Sequence, residues 1–153
     1  MKRAAAFLVI LLITSPISAA DKRPMTVDDL FKFQRVSDPQ ISPDGKWVVY
    51  VQGVVDLEAN RTARNLWLAS TDPAVDRKPK QLTSTLKGDG HPRWSPDGKH
   101  ILFESTRSGT SQLWIIAVDG GEPKQLTTIS TGAATGIWSR DGKQIAFVSA
   151  VWP

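Results

Sequence analysis

The sequence predicts an all-β chain: a partial β-propeller of two four-stranded blades plus half of a third, preceded by a short helix. Three observations carry that prediction. One tight turn is written three times, as Ser42-Pro43-Asp44-Gly45-Lys46, Ser95-Pro96-Asp97-Gly98-Lys99 and Ser139-Arg140-Asp141-Gly142-Lys143. Each copy is followed by an alternating apolar pattern of strand type. A second phrase, Asn65-Leu66-Trp67-Leu68 and Gln112-Leu113-Trp114-Ile115, interleaves with the first and is followed in both cases by Pro-Lys-Gln-Leu-Thr. Four strands in a repeat of about 40 to 50 residues is the pattern of a propeller blade. A β-sandwich shares the short strands and regular turns but gives no reason to repeat one turn and one Leu-Trp strand in register.

In chain order, the first element is a segment to be removed. Lys2-Arg3, the apolar run Ala4 to Ile13, Pro16 and the small residues Ser18-Ala19-Ala20 have the regions of a secretory signal peptide over residues 1–20, with cleavage between Ala20 and Asp21. Ten apolar residues are too few for a bilayer span, which needs about 20. With no cysteine to lipidate, a cleaved signal and a periplasmic or secreted destination are expected, with no stable membrane span afterwards. Export permits disulfides, yet the chain has no Cys, so its stability must come from strand packing.

A short helical lead-in is expected within residues 21–37. Thr26 stands at an N-cap position, Asp29 suits the positive helix start, and Met25 and Leu30 occupy hydrophobic-staple positions. Leu30, Phe31 and Phe33 give this helix an apolar surface, to be covered by the first blade or by another domain.

The propeller portion is expected over 38–153, with blade one at about 38–84, blade two at about 91–128 and the half blade at about 135–150. Within each repeat the first strand ends in Ile41, Trp94 or Trp138 and the turn follows. Proline at 43 and 96 presets φ for position i+1 of a type I turn, Asp44, Asp97 and Asp141 bond local backbone amides, and Gly45, Gly98 and Gly142 accept a left-handed conformation. The second strands, Trp47 to Val51, His100 to Glu104 and Gln144 to Val148, place Val48, Ile101 and Ile145, then Tyr50, Phe103 and Phe147, on one face. The turns are 53 and 44 residues apart, and comparing the intervals puts six of the nine extra residues of blade one in the loop between its second and third strands.

Composition narrows the function classes. The formal charge is +4, but once Lys2 and Arg3 leave with the signal, 17 basic and 15 acidic residues remain, interspersed rather than striped. No nucleic-acid role is expected. The Arg77-Lys78-Pro79-Lys80 cluster reads as a solvated strand edge, where lysine discourages unwanted pairing. No cofactor or metal is expected: His91 and His100 flank one hairpin, but the turn is expected to set Arg93 opposite His100, and no third ligand is evident. Five of six tryptophans fall at strand positions suited to core packing. Asn60-Arg61-Thr62 matches a glycosylation sequon.

The stretch Met25 to Leu30, followed by Arg35-Val36-Ser37-Asp38-Pro39-Gln40-Ile41 and the first turn, resembles the start of the propeller domain in the prolyl oligopeptidase family of serine peptidases. The likeness is greatest to its acylaminoacyl-peptidase and dipeptidyl-peptidase-like members, and Phe147 to Pro153 resembles the family's exit from this strand. The Ser-Pro-Asp-Gly repeats are also similar to those of TolB-like propellers, which bind protein partners and are not enzymes. The peptidase resemblance implies a propeller that screens peptide substrates for a C-terminal α/β-hydrolase domain carrying a Ser-Asp-His triad. No triad residue is assigned to this chain. Gly109-Thr110-Ser111-Gln112-Leu113 lacks the second glycine of a nucleophile elbow. Two and a half blades leave a strand face and an edge to be covered, so the chain is expected to be a fragment, inactive on its own.

Overall fold

The computed structural model describes residues 23–75 and 78–151. The signal peptide and its cleavage point between Ala20 and Asp21 lie outside the described residues. The described chain is a short helix, α1 (Val27–Lys32), followed by two four-stranded antiparallel sheets and one strand pair. Blade one is β1 (Arg35–Ile41), β2 (Trp47–Asp56), β3 (Arg61–Ser70) and β4 (Lys80–Gln81), paired in sequence order. Blade two repeats this with β5 (Asp89–Trp94), β6 (His100–Ser105), β7 (Gln112–Ala117) and β8 (Lys124–Gln125). The third unit pairs β9 (Ala134–Trp138) with β10 (Ile145–Val148). The first strands lie side by side, β1 against β5 and β5 against β9, while β4 and β8 touch no strand of the next blade. The sheets therefore converge on their first strands and splay outward, the wedge arrangement of a propeller.

All three repeated turns share one bonding scheme. In the first, Gly45 N–H donates to the Ser42 carbonyl at 2.9 Å, and Ser42 N–H donates to the Trp47 carbonyl at 2.8 Å. The Ser42 hydroxyl donates to Asp44 Oδ1 at 2.6 Å and accepts from Trp47 N–H at 3.0 Å, and the same Asp44 oxygen accepts from Lys46 N–H at 3.1 Å. Ser95 with Asp97 and Ser139 with Asp141 reproduce these bonds. Gly45, Gly98 and Gly142 have φ of +73°, +69° and +69°, where an L side chain is strained. The turns also stack across blades. A Cβ added at Gly98 would lie 3.7 Å from Pro43 Cδ, and one at Gly142 would lie 3.6 Å from Pro96 Cδ.

Burial corrects the single apolar face expected for the second strands. Val49 and Val51, on the opposite face from Val48 and Tyr50, are buried, and with Leu66 and Leu68 they meet Ile101, Phe103 and Ile116 of blade two. On the far side of blade two, Leu102 and Leu113 meet Ala133, with Trp138 and Ile145 at the margin. The second strand of blade two thus sends Ile101 and Phe103 toward blade one and Leu102 toward the third unit. Blade two, covered on both sides, buries Ile101, Leu102 and Phe103 in succession, each contributing about 1.5–3 kcal/mol.

Two further expectations are revised. The extra residues of blade one do not form a loose loop: β2 and β3 have ten residues each against six in β6 and β7, so the insertion lengthens the hairpin. The staple at α1 does not form, since Met25 and Leu30 are 63% and 51% exposed. Asp29 instead anchors the helix start, accepting from Thr26 N–H at 2.9 Å and from both Arg23 terminal nitrogens at 2.6 and 2.7 Å. These partners hold its carboxyl well below the usual range, the Arg23 guanidinium foremost. No residue of α1 is buried.

The two-residue fourth strands end early because a side chain replaces the ladder. The Thr83 hydroxyl accepts Leu66 N–H at 3.0 Å, and Thr127 does the same for Leu113 N–H at 2.9 Å. Gln81 and Gln125 brace this bend by donating Nε2–H to the carbonyls of Thr83 and Thr127 at 2.8 and 2.7 Å. The repeated Gln-Leu-Thr phrase is thus a strand-ending device.

Candidate functional site

The first strands carry an irregularity at one equivalent position. Three residues before Ile41, Trp94 and Trp138 stand Asp38, His91 and Thr135, with φ of +46°, +51° and +55°. The register of β1 slips between Ser37 and Gln40, that of β5 between Gly90 and Arg93, and that of the third pair between Ala146 and Val148. In the first two, the slip falls on Asp38-Pro39 and His91-Pro92. Proline offers no N–H to the ladder, so the strand bulges there. Asp and His tolerate positive φ better than most residues, whereas a β-branched threonine is an outlier. Such conformations cost about 1–3 kcal/mol each and concentrate at functional sites.

The bulges open a polar groove of about 520 Å³ between blades one and two, lined by Ser37, Asp38, Arg64, His91, Arg93 and Glu104 among others. Asp38 of β1 and Arg93 of β5 close one wall, Arg93 donating to both carboxylate oxygens at 3.0 and 3.1 Å. Gln40 Nε2 donates to the same carboxylate at 2.8 Å, and His91 Nδ1 lies 3.8 Å away. Glu104 accepts the Thr135 N–H at 2.6 Å, so the strained threonine is tied to blade two. Arg64 makes no ion pair among the described residues. Behind the groove, Arg107 donates to both oxygens of the fully buried Asp89 at 2.9 and 2.8 Å and lies over the rings of Trp114 and Phe103, 4.8 and 5.5 Å from their centroids.

This set offers hydrogen bonds and charges of both signs suited to peptide groups and chain ends. Among the described residues no cluster of His, Asp and Glu has metal-ligand form. His100 is bonded to Ser95, and Arg93 stands opposite Leu102 rather than His100, which corrects the pairing read from the turn. Ser111 lies in the β6–β7 connection, its carbonyl accepting Ala133 N–H at 2.8 Å. Among the described residues no histidine bonds it. Pro43, Asp44, Gly45, Pro96, Asp97, Gly98, Asp141 and Gly142 all lie in the stacked turns, outside the groove. In the sequence, Asp38 stands only within the family resemblance and His91 only as a histidine flanking a hairpin; the signal for a bulge is the X-Pro pair three residues before the end of the first strands of blades one and two.

The profile of the TolB beta propeller domain matches residues 34–151, most of the chain. The chain belongs to that family. Its TolB-type repeats recur in peptidases: the chain is 37% identical over 102 residues to the uncharacterized peptidase YuxL of Bacillus subtilis (strain 168), covering 66% of this chain and 15% of that one. It is 35% identical over 89 residues to dipeptidyl-peptidase 5 of Porphyromonas gingivalis, covering 58% of this chain and 13% of that one. Among solved structures, the putative TolB from Agrobacterium tumefaciens superposes with a TM-score of 0.60 at 29% identity, over 72% of this chain and 36% of that one. The chain thus spans only a minor part of each. This TolB-type propeller also agrees with the resemblance to the propellers of the prolyl oligopeptidase family. Among the described residues no helix is long and apolar enough to cross a membrane.

Proposed function

We propose that this propeller is part of an exported serine peptidase of the prolyl oligopeptidase family and that its converging first strands screen peptides on their way to a hydrolase domain. One observation carries the reading: three strained bulges at equivalent positions, two of which border a groove rich in hydrogen-bonding groups where the blades meet. The similarity to two peptidases supports it. The chemistry belongs to the hydrolase domain, and the propeller contributes access and orientation. Export rests on the residues before Asp21.

The test uses the full-length protein encoded by the parent gene. Hydrolysis of dipeptidyl and acyl-peptide chromogenic substrates should be abolished by a serine-directed inhibitor. Replacing Arg93 and Glu104 by Ala should widen the groove and raise kcat/KM for long peptides relative to dipeptidyl substrates. An unchanged ratio would remove the screening role, and absence of inhibitor-sensitive hydrolysis would remove the peptidase reading.

A second reading, a TolB-like periplasmic propeller that binds protein partners without chemistry, is favoured by the family profile and the Agrobacterium structure. The coding sequence beyond Pro153 separates the two. A downstream Gly-x-Ser-x-Gly element supports the peptidase, and a propeller without one supports the binding module.

A further inference from the structure

A second cleft, of about 740 Å³, opens between blades one and two on the side of the repeated turns, away from the groove of the first strands. Its apolar lining includes Trp47 and Leu68 of blade one and Val118 of blade two, all packed into or against the interblade core. Its rim is basic. Lys78 and Lys80 reach it from the outer edge of blade one, and Lys99 with His100 from the turn of blade two. Lys80 Nζ donates to the backbone carbonyl of Asp119, which fixes that ammonium at the rim without neutralising it. Neither Lys80 nor Lys99 forms an ion pair among the described residues, and the one acid on the lining is Asp119. A concave apolar surface with a few convergent polar groups is the usual form of a small-ligand site, and the volume of this open cleft falls in the range such sites occupy.

We infer that this cleft binds a small organic carboxylate with an apolar body, the chain or ring lying against Trp47, Leu68 and Val118 and the carboxylate facing Lys80 and Lys99. Charge complementarity selects the ligand: a neutral amphiphile forgoes the ammonium contacts, and a cationic one meets repulsion. The site stands apart from the groove of the first strands and does not depend on the peptidase reading.

Decanoate, titrated calorimetrically into the full chain, is the probe. One saturable site is expected, with no detectable binding of acetate and at least about tenfold weaker binding of decanol. Lys99→Gln alone, and Lys80→Gln with Lys99→Gln, should each weaken decanoate by about tenfold or more while leaving the melting curve of the single variant unchanged, because Lys99 is exposed. Equal binding of decanol and decanoate, unaltered affinity in the lysine variants, or several weak sites would overturn the inference. So would tighter binding at the same cleft by a peptide with an apolar C-terminus, which would assign the cleft to a macromolecule.

Discussion

The indole N–H of Trp94 donates to the backbone carbonyl of Gln40 at 2.9 Å, joining the innermost strands of blades one and two. Trp138 repeats the link one blade on, donating to the carbonyl of Arg93 at 3.3 Å. Successive blades are therefore fastened by a side chain that crosses to its neighbour's backbone at an equivalent position. Trp94→Phe keeps most of the packing and removes the donor, so it should cost about 1 kcal/mol. Trp94→Ala also leaves a cavity and should cost about 3–5 kcal/mol. Urea unfolding of both variants checks the order; equal losses would mean that the indole acts through volume alone.

Asp89 and Arg107 should behave as a coupled pair. Arg107→Met leaves a fully buried carboxylate without its partner and should destabilise by about 3–5 kcal/mol. Adding Asp89→Asn should recover a substantial part of that loss. A double-mutant cycle read by denaturant midpoint measures the coupling, and additive losses would show that the two side chains act independently.

Gly136 decides whether the third strand pair seats on blade two. A Cβ there would meet Leu102 Cδ2 at 2.8 Å and Leu113 Cδ2 at 3.0 Å, inside a buried contact. Gly136→Ala should cost about 1–3 kcal/mol through overpacking. Hydrogen exchange should show the loss first in β9 and β10, with blade one least affected.

The turn aspartates predict an acid-sensitive fold. In Asp44, Asp97 and Asp141 the serine hydroxyl, followed by the backbone N–H two residues on, lowers the carboxyl pKa from its ordinary 3.8. A carboxyl with a depressed folded pKa binds its proton more readily when unfolded. Its stabilisation is complete above the ordinary value and is lost as pH falls through the depressed one. Melting temperature should therefore be level near neutrality and drop as pH falls below about 4. Asp97→Asn keeps an acceptor in the turn but cannot titrate, so its melting temperature should fall less steeply with acid than that of the parent.

How much of this was legible in the sequence differs from element to element. The turns were, because Ser, Pro, Asp and Gly act through bonds that close within five residues. The order of the strands was also legible, since alternation and two repeated phrases mark them. The groove was not. Asp38 and Arg93 lie 55 residues apart, and only the stacking of one first strand on the next brings their charges together.

The sequence by itself determined the repeat: three copies of one turn, four strands per blade and the residues, Trp47 and His100, where the second strands of the two full blades begin. Local chemistry suffices there, because φ restrictions and side-chain bonds to nearby amides operate whatever surrounds them. The tertiary structure alone decided which faces are buried, that Val49 and Val51 rather than Val48 and Tyr50 meet blade two, and that bulges at Asp38 and His91 open a polar groove. Both depend on which neighbour each sheet acquires, and alternation within a strand is the same whichever face that neighbour covers.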